Sequence, residues 1–145
     1  MAVSESRVID SIRYLPANPV VPAAVVESIA AADAVIVGPG SLYTSVLAPV
    51  VPGVAEAIEA TQATVIYVAN LADEASETAG YDLGDHIDAV VRHGVVPDVV
   101  VSDRSAVVPD TWLDRVQTFE LRGEDPDVHD PQKLGAALAS ILAAG

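Results

Sequence analysis

Apolar and polar positions change character along the chain, short β-branched runs taking turns with stretches of helical spacing. The run Arg7-Val8-Ile9-Asp10-Ser11-Ile12-Arg13-Tyr14 is rich in β-formers, partly alternates and is stopped by Leu15-Pro16, a pattern that predicts an edge strand. Between Pro22 and Ala32 the residues Val25, Val26, Ile29 and Ala30 recur at helical spacing, and Pro22 suits a first turn. Asp33 to Val37 is a β-branched run ending at Gly38, which predicts a buried strand. Leu42 to Leu47 has room for one or two helical turns, broken by Pro49 and Pro52. Val54 to Ala60 then reads as helix and Thr64 to Asn70 as the next buried strand.

From Leu71 to Asp82 the period is lost among Asp73, Glu74, Ser76, Glu77, Thr78 and Gly80, and a loop is expected. Leu83 to Arg92 regains helical spacing through Ile87, Val90 and Val91. Pro97 to Ser102 predicts a third buried strand, Asp114 to Leu121 a last one, and Pro131 to Leu142 a C-terminal helix opened by Pro131. Strands and helices in alternation imply a parallel sheet with helices on both faces. No linker, repeat or low-complexity tract divides the chain, so residues 1–145 are expected to form a single α/β domain.

Composition narrows the functions open to such a domain. Hydrophobic residues make up 51% against 19% charged, which excludes wholesale disorder. Seven basic side chains face 21 acidic ones, a formal net charge of -14 that repels phosphate backbones and anionic lipid. No nucleic acid and no membrane are therefore expected as partners. A small anionic ligand stays open, because backbone N–H groups bind phosphate locally whatever the net charge. The chain has no cysteine, which removes disulfides, thiolate metal sites and cysteine nucleophiles. No apolar run is long enough to span a bilayer and the start, Met1 to Ser11, is polar, so a cytoplasmic protein without a signal peptide is expected.

In an open α/β sheet, ligands bind beyond the carboxyl ends of the strands. Three stretches meet that condition. In Gly38-Pro39-Gly40-Ser41-Leu42-Tyr43-Thr44-Ser45 the glycines let backbone approach a ligand closely, while Ser41, Thr44 and Ser45 supply hydroxyls. A helix opening at Ser41 would aim free N–H groups at an anion, although the same residues suit a plain turn capped by Ser41. The stretch matches neither the Walker phosphate loop nor GxGxxG. Asn70 and the loop down to Glu77-Thr78-Ala79-Gly80-Tyr81 form the second stretch: Asn70 can orient a hydroxyl or amide and Tyr81 can stack on a base or sugar, or else Glu77 and Thr78 are solvated and Tyr81 packs on the sheet. In the third, Asp85-His86 is followed by His93 on the same helix face but two turns away, too far for joint metal ligation, and no GxSxG accompanies them. No metal site is expected, no catalytic residue can be assigned, and the acidic run Glu124-Asp125-Pro126-Asp127 reads as a solvated turn.

Together these motifs resemble the YvcK/CofD-like family. The resemblance is carried by Ala32 to Leu47 with its GPGSLYTS stretch, by Val51-Pro52-Gly53-Val54, and by Tyr67-Val68-Ala69-Asn70-Leu71 leading to Glu77-Thr78-Ala79-Gly80-Tyr81 and Asp85-His86. Pro16-Ala17-Asn18-Pro19, His129-Asp130 and Lys133-Leu134 add to it, so that it runs from about Arg7 to Leu142. The GPGSLYTS stretch is that of the YvcK branch, the gluconeogenesis factors. The resemblance implies a Rossmann-like fold and a nucleotide or nucleotide sugar as ligand, of the UDP-N-acetylglucosamine type, in a regulatory protein linked to cell shape and carbon flux. The alternatives are a CofD-like phospholactyl transferase holding a guanine nucleotide, and a truncated oligomerising scaffold without ligand. A homo-oligomer is expected. Carried over by motif, Gly38, Pro39, Gly40, Ser41, Tyr43 and Thr44 would line the ligand pocket. Asn70, Glu77, Thr78, Gly80, Tyr81, Asp85 and His86 would form its second wall. The chain lacks the family's glycine-rich opening half, has Glu74-Ala75-Ser76 in place of Gln-Pro-Gly, and has Val128 where an arginine is common.

Overall fold

Four β-strands form one sheet in the computed structural model, which describes residues 9–145. They are β1 (Ala34–Val37), β2 (Thr64–Val68), β3 (Val99–Asp103) and β4 (Val116–Phe119), in the spatial order β1-β2-β3-β4 with every pair parallel. The helices are α1 (Ala23–Ala31), α2 (Pro52–Ala60), α3 (Leu83–Arg92) and α4 (Pro131–Ala143). The fold is the expected α/β sheet covered on both faces.

The two central strands explain the two cores. Val65 and Tyr67 of β2 and Val100 of β3 point to one side, where they meet Ile58 of α2 and Leu83, Ile87 and Val90 of α3. Ile66 and Val68 of β2 and Val101 of β3 point to the other, against Ala137 and Ile141 of α4. A strand buried on both faces has no polar face to alternate with, hence the continuous apolar runs. Strand β1 differs from expectation. Among the described residues it pairs only with β2, and Ile36 is 44% exposed, so it is an edge strand rather than a buried one.

Two further expectations need correction. Arg7 and Val8 lie outside the described residues, and Ile9 to Tyr14 form no strand. The Ile9 N–H donates to the Glu77 carbonyl (3.0 Å), Ile12 packs on the core, and the Tyr14 hydroxyl sits 2.7 Å from His93 Nε2 and 2.9 Å from the Val50 carbonyl. One backbone bond and the Ile12 and Tyr14 side chains tie this segment down where no sheet edge receives it. Pro52 does not break a helix but opens α2 at its first position, where its missing N–H costs nothing, whereas Pro22 is the residue before α1.

Helix α3 begins with a reciprocal cap. Asp82 accepts from the Asp85 N–H (2.9 Å), and the Asp85 carboxylate accepts from the Asp82 N–H (3.0 Å). Asp82→Ala is expected to cost about 1 kcal/mol, read as a melting temperature lower by roughly 2–4 °C. A variant melting with the parent would show that packing of Ile87 and Val90 alone holds the first turn.

Candidate functional site

Beyond the carboxyl ends of β1 and β2 lies a cavity of about 730 Å³, closed on its third side by the first turn of α4. Three chain segments line it: Pro39, Gly40 and Ser41 after β1; Asn70 to Glu74 after β2; and Asp127, Val128 and His129 with Pro131 and Leu134 at the start of α4.

The first wall depends on Gly38. Its φ is +92°, a region L-residues rarely adopt, and a β-carbon there would stand 2.7 Å from the Val68 carbonyl oxygen. The chain turns off β1 against the end of β2 and enters a six-residue π-helical turn, Leu42–Leu47, in which the Val46 N–H reaches back to the Ser41 carbonyl at 3.0 Å.

Ser41 precedes this turn but does not cap it. Its hydroxyl donates to the Glu74 carboxylate, 2.9 Å to Oε2 and 3.1 Å to Oε1, and the Asn70 side-chain amide donates to Oε1 at 3.1 Å. Glu77, only 6% exposed, takes the N–H of Tyr43 on Oε2 at 3.0 Å and the Thr44 hydroxyl on Oε1. The donors that the sequence offers to an anion are therefore held by two of the protein's own carboxylates. Glu77 is a buried connector, not a solvated residue.

Of the sequence-predicted residues, the cavity brings together Pro39, Gly40, Ser41 and Asn70. The others sit behind it and shape the loop. Thr78 is fully buried, and its hydroxyl accepts from the Glu74 N–H at 2.8 Å. The Gly80 N–H donates to Asp73 (2.6 Å) at φ +79°. Tyr81 donates to the Ile9 carbonyl (3.2 Å) and lies 3.0 Å from the Tyr43 hydroxyl. Burial, with the Tyr81 hydrogen bond adding to it, pushes the Tyr43 phenol up to about 12, so Tyr43 stays protonated. Asp85 belongs to the α3 cap, and buried His86 places Nδ1 2.8 Å from the Asp82 carbonyl with its ring edge-on to Tyr81.

Several cavity residues escaped the motif reading. Asp73 and Glu74, expected only as part of a polar loop, and Asp127, expected in a solvated turn, line the cavity together with His129. His129-Asp130 was visible only through its family resemblance. Burial holds the His129 ring below its ordinary pKa despite a contact with the Ala69 carbonyl, and its Nε2 has no hydrogen-bond partner. Asp130 caps α4 by accepting from the N–H groups of Gln132 (2.9 Å) and Lys133 (3.1 Å).

No lysine or arginine lines the cavity among the described residues. The Arg122 guanidinium, bonded to the Leu71 carbonyl of the second wall, is committed: Nε to Asp103 at 3.3 Å and its terminal nitrogens to the carbonyls of Leu71 and Pro126. It thereby links the second wall to the third. Among the described residues no three His, Asp or Glu side chains stand close enough to hold a metal ion, and no helix is long and apolar enough to cross a membrane.

The family model described as 2-phospho-L-lactate transferase CofD matches residues 1–144. A Deinococcus radiodurans protein carrying the gluconeogenesis-factor name is 35% identical over 92% of this chain and 33% of its own length. The Halalkalibacterium halodurans gluconeogenesis factor is 44% identical over 52% of this chain and 24% of its own. A Mycobacterium tuberculosis relative of the same name is 35% identical over 91% of this chain and 43% of its own. A crystal structure of a UPF0052-family protein from Bacillus halodurans superposes with a TM-score of 0.74 at 28% identity, covering 84% of this chain and 46% of that one. The chain thus spans less than half the length of these relatives.

Proposed function

Since the chain belongs to the CofD family, we propose that it acts as a nucleotide-sugar-binding regulatory protein of the gluconeogenesis-factor type, taking a ligand of the UDP-N-acetylglucosamine class and serving control of carbon flux and cell shape. The supporting observation is the cavity itself. It lies beyond the carboxyl ends of parallel strands, where open α/β sheets bind ligands, and its volume of about 730 Å³ suits a small molecule of this size. The gluconeogenesis-factor name of the relatives supports the link to carbon flux.

A second reading has its own support, because the matching family model carries the transferase description. On that reading the cavity holds a guanine nucleotide while a phospholactyl group moves to a deazaflavin acceptor, and catalysis rests on positioning and charge stabilisation.

A thermal-shift titration of the chain with UDP-N-acetylglucosamine and with GDP, followed by Trp112 emission, separates the two. A ligand at 100 times its dissociation constant adds about 2.7 kcal/mol, roughly 5–10 °C for a chain of this size. A response to the UDP-sugar alone is the expected result. A response to GDP alone, with turnover on a deazaflavin acceptor, would transfer the assignment to the transferase. No response to either would remove ligand binding from this chain.

A further inference from the structure

The corner of the cavity made by Ser41, Asn70 and Glu74 is wired to refuse anions. Ser41 and Asn70 each direct a donor inward, and a phosphate oxygen would want both. The Ser41 hydroxyl and one N–H of the Asn70 amide are already spent on the Glu74 carboxylate, at 2.9 and 3.1 Å from Ser41 and 3.1 Å from Asn70. Asp73 and Asp127 share the lining with Glu74, and no basic side chain among the described residues offsets them there. The Arg122 guanidinium points its donors at Asp103 and two backbone carbonyls.

We propose that Glu74 is the specificity-determining residue of this cavity: it accepts hydrogen bonds from the uncharged, hydroxyl-bearing part of the ligand and keeps phosphate groups outside the Ser41–Asn70 corner. The proposal rests on the nucleotide-sugar reading above and adds which end of the ligand enters. A carboxylate offers about four acceptor positions on two oxygens, and Oε2 of Glu74 is engaged by Ser41 alone. A sugar hydroxyl supplies the donor that position lacks, whereas a phosphate oxygen brings a second negative charge.

Glu74→Gln keeps the shape, removes the charge and offers an amide N–H₂ in place of an acceptor oxygen. The parent and E74Q proteins are titrated by NMR with free N-acetylglucosamine, with inorganic pyrophosphate and with UDP-N-acetylglucosamine. E74Q is expected to bind the free sugar about tenfold more weakly and pyrophosphate about tenfold more tightly, the scale of one charge-assisted hydrogen bond. An unchanged melting temperature and amide spectrum outside the loop show that the variant is folded. Should it lose the fold, Ser41→Ala, which frees Glu74 from one donor but leaves its charge, is expected to leave pyrophosphate as excluded as in the parent; pyrophosphate binding tighter there would overturn the proposal. Pyrophosphate binding E74Q no better than the parent, including no binding to either, overturns it, as does unchanged sugar affinity. Silence of both proteins toward UDP-N-acetylglucosamine alongside the sugar-to-pyrophosphate exchange would instead discard the nucleotide reading and leave the role of Glu74 standing.

Discussion

Gly38→Ala is expected to destabilise the chain by about 3 kcal/mol, lowering its melting temperature by roughly 6–12 °C. Two independent penalties combine. At φ +92° any β-carbon is strained, and this one meets the Val68 carbonyl oxygen at 2.7 Å, closer than such atoms ever stand. The obstacle is backbone, not the end of a flexible side chain, and Val68 is itself fully buried between β1 and β3. Relief therefore requires β1 and β2 to move apart or the turn to be rebuilt. Gly80 is the matched control: its φ is +79°, yet nothing lies within 4 Å of an added β-carbon. Gly80→Ala should carry the conformational penalty alone, about 1 kcal/mol. Equal melting of the two variants would show that the close approach at Val68 relaxes freely. Because Gly38 leads directly into Pro39, Gly40 and Ser41, the same substitution should also weaken any ligand held in the cavity.

How much of this was readable in the sequence follows from where each signal is written. β2, β3, α3 and α4 were legible because burial on one or both faces leaves a period or an unbroken apolar run. Pro52 misled because proline is equally at home ending a helix and opening one. The segment Ile9 to Tyr14 misled because β-propensity describes a fit to a sheet surface, and no strand lies beside it. At the site, the glycines of the first loop were legible since their need is local. The partners of Ser41 and Thr44 were not: they come from Glu74 and Glu77, 33 residues away, and long-range pairing leaves no local pattern. A loop that looks anion-friendly from its own residues is thus neutralised by the next one. The Asp103–Arg122 pair was invisible for the same reason.

That pair carries the last large effect. Asp103 ends β3 with 4% of its surface exposed and accepts from the Leu121 N–H (3.0 Å), the Ser105 N–H (3.0 Å) and hydroxyl (2.6 Å), and Arg122 Nε (3.3 Å). Burial alone would raise its pKa, but the bonds from Ser105, Leu121 and Arg122 outweigh it and hold the carboxyl well below the usual carboxylate range. Asp103→Ala removes the acceptor, leaves the half-buried Arg122 charge without its carboxylate and strands the N–H groups of Ser105 and Leu121, an expected loss of about 3–5 kcal/mol. The acid dependence has a definite sign. With the folded pKa depressed, the contribution of Asp103 is complete above the unfolded value of about 3.9 and is lost as pH falls through that value toward the folded one. The parent should therefore lose stability steeply on acidification below about pH 4, and Asp103→Asn, already less stable at pH 7, should lose it less steeply. Parallel acid curves for the two proteins would mean that other carboxylates set the limb. The effect should reach the cavity as well, since Arg122, once freed from Asp103, no longer fixes the carbonyls of Leu71 and Pro126 that hold two of its walls. Ligand affinity in Asp103→Asn at pH 7 should accordingly fall even at temperatures where the sheet remains fully folded. Undiminished affinity there would confine the pair to stabilising the β3–β4 end of the sheet.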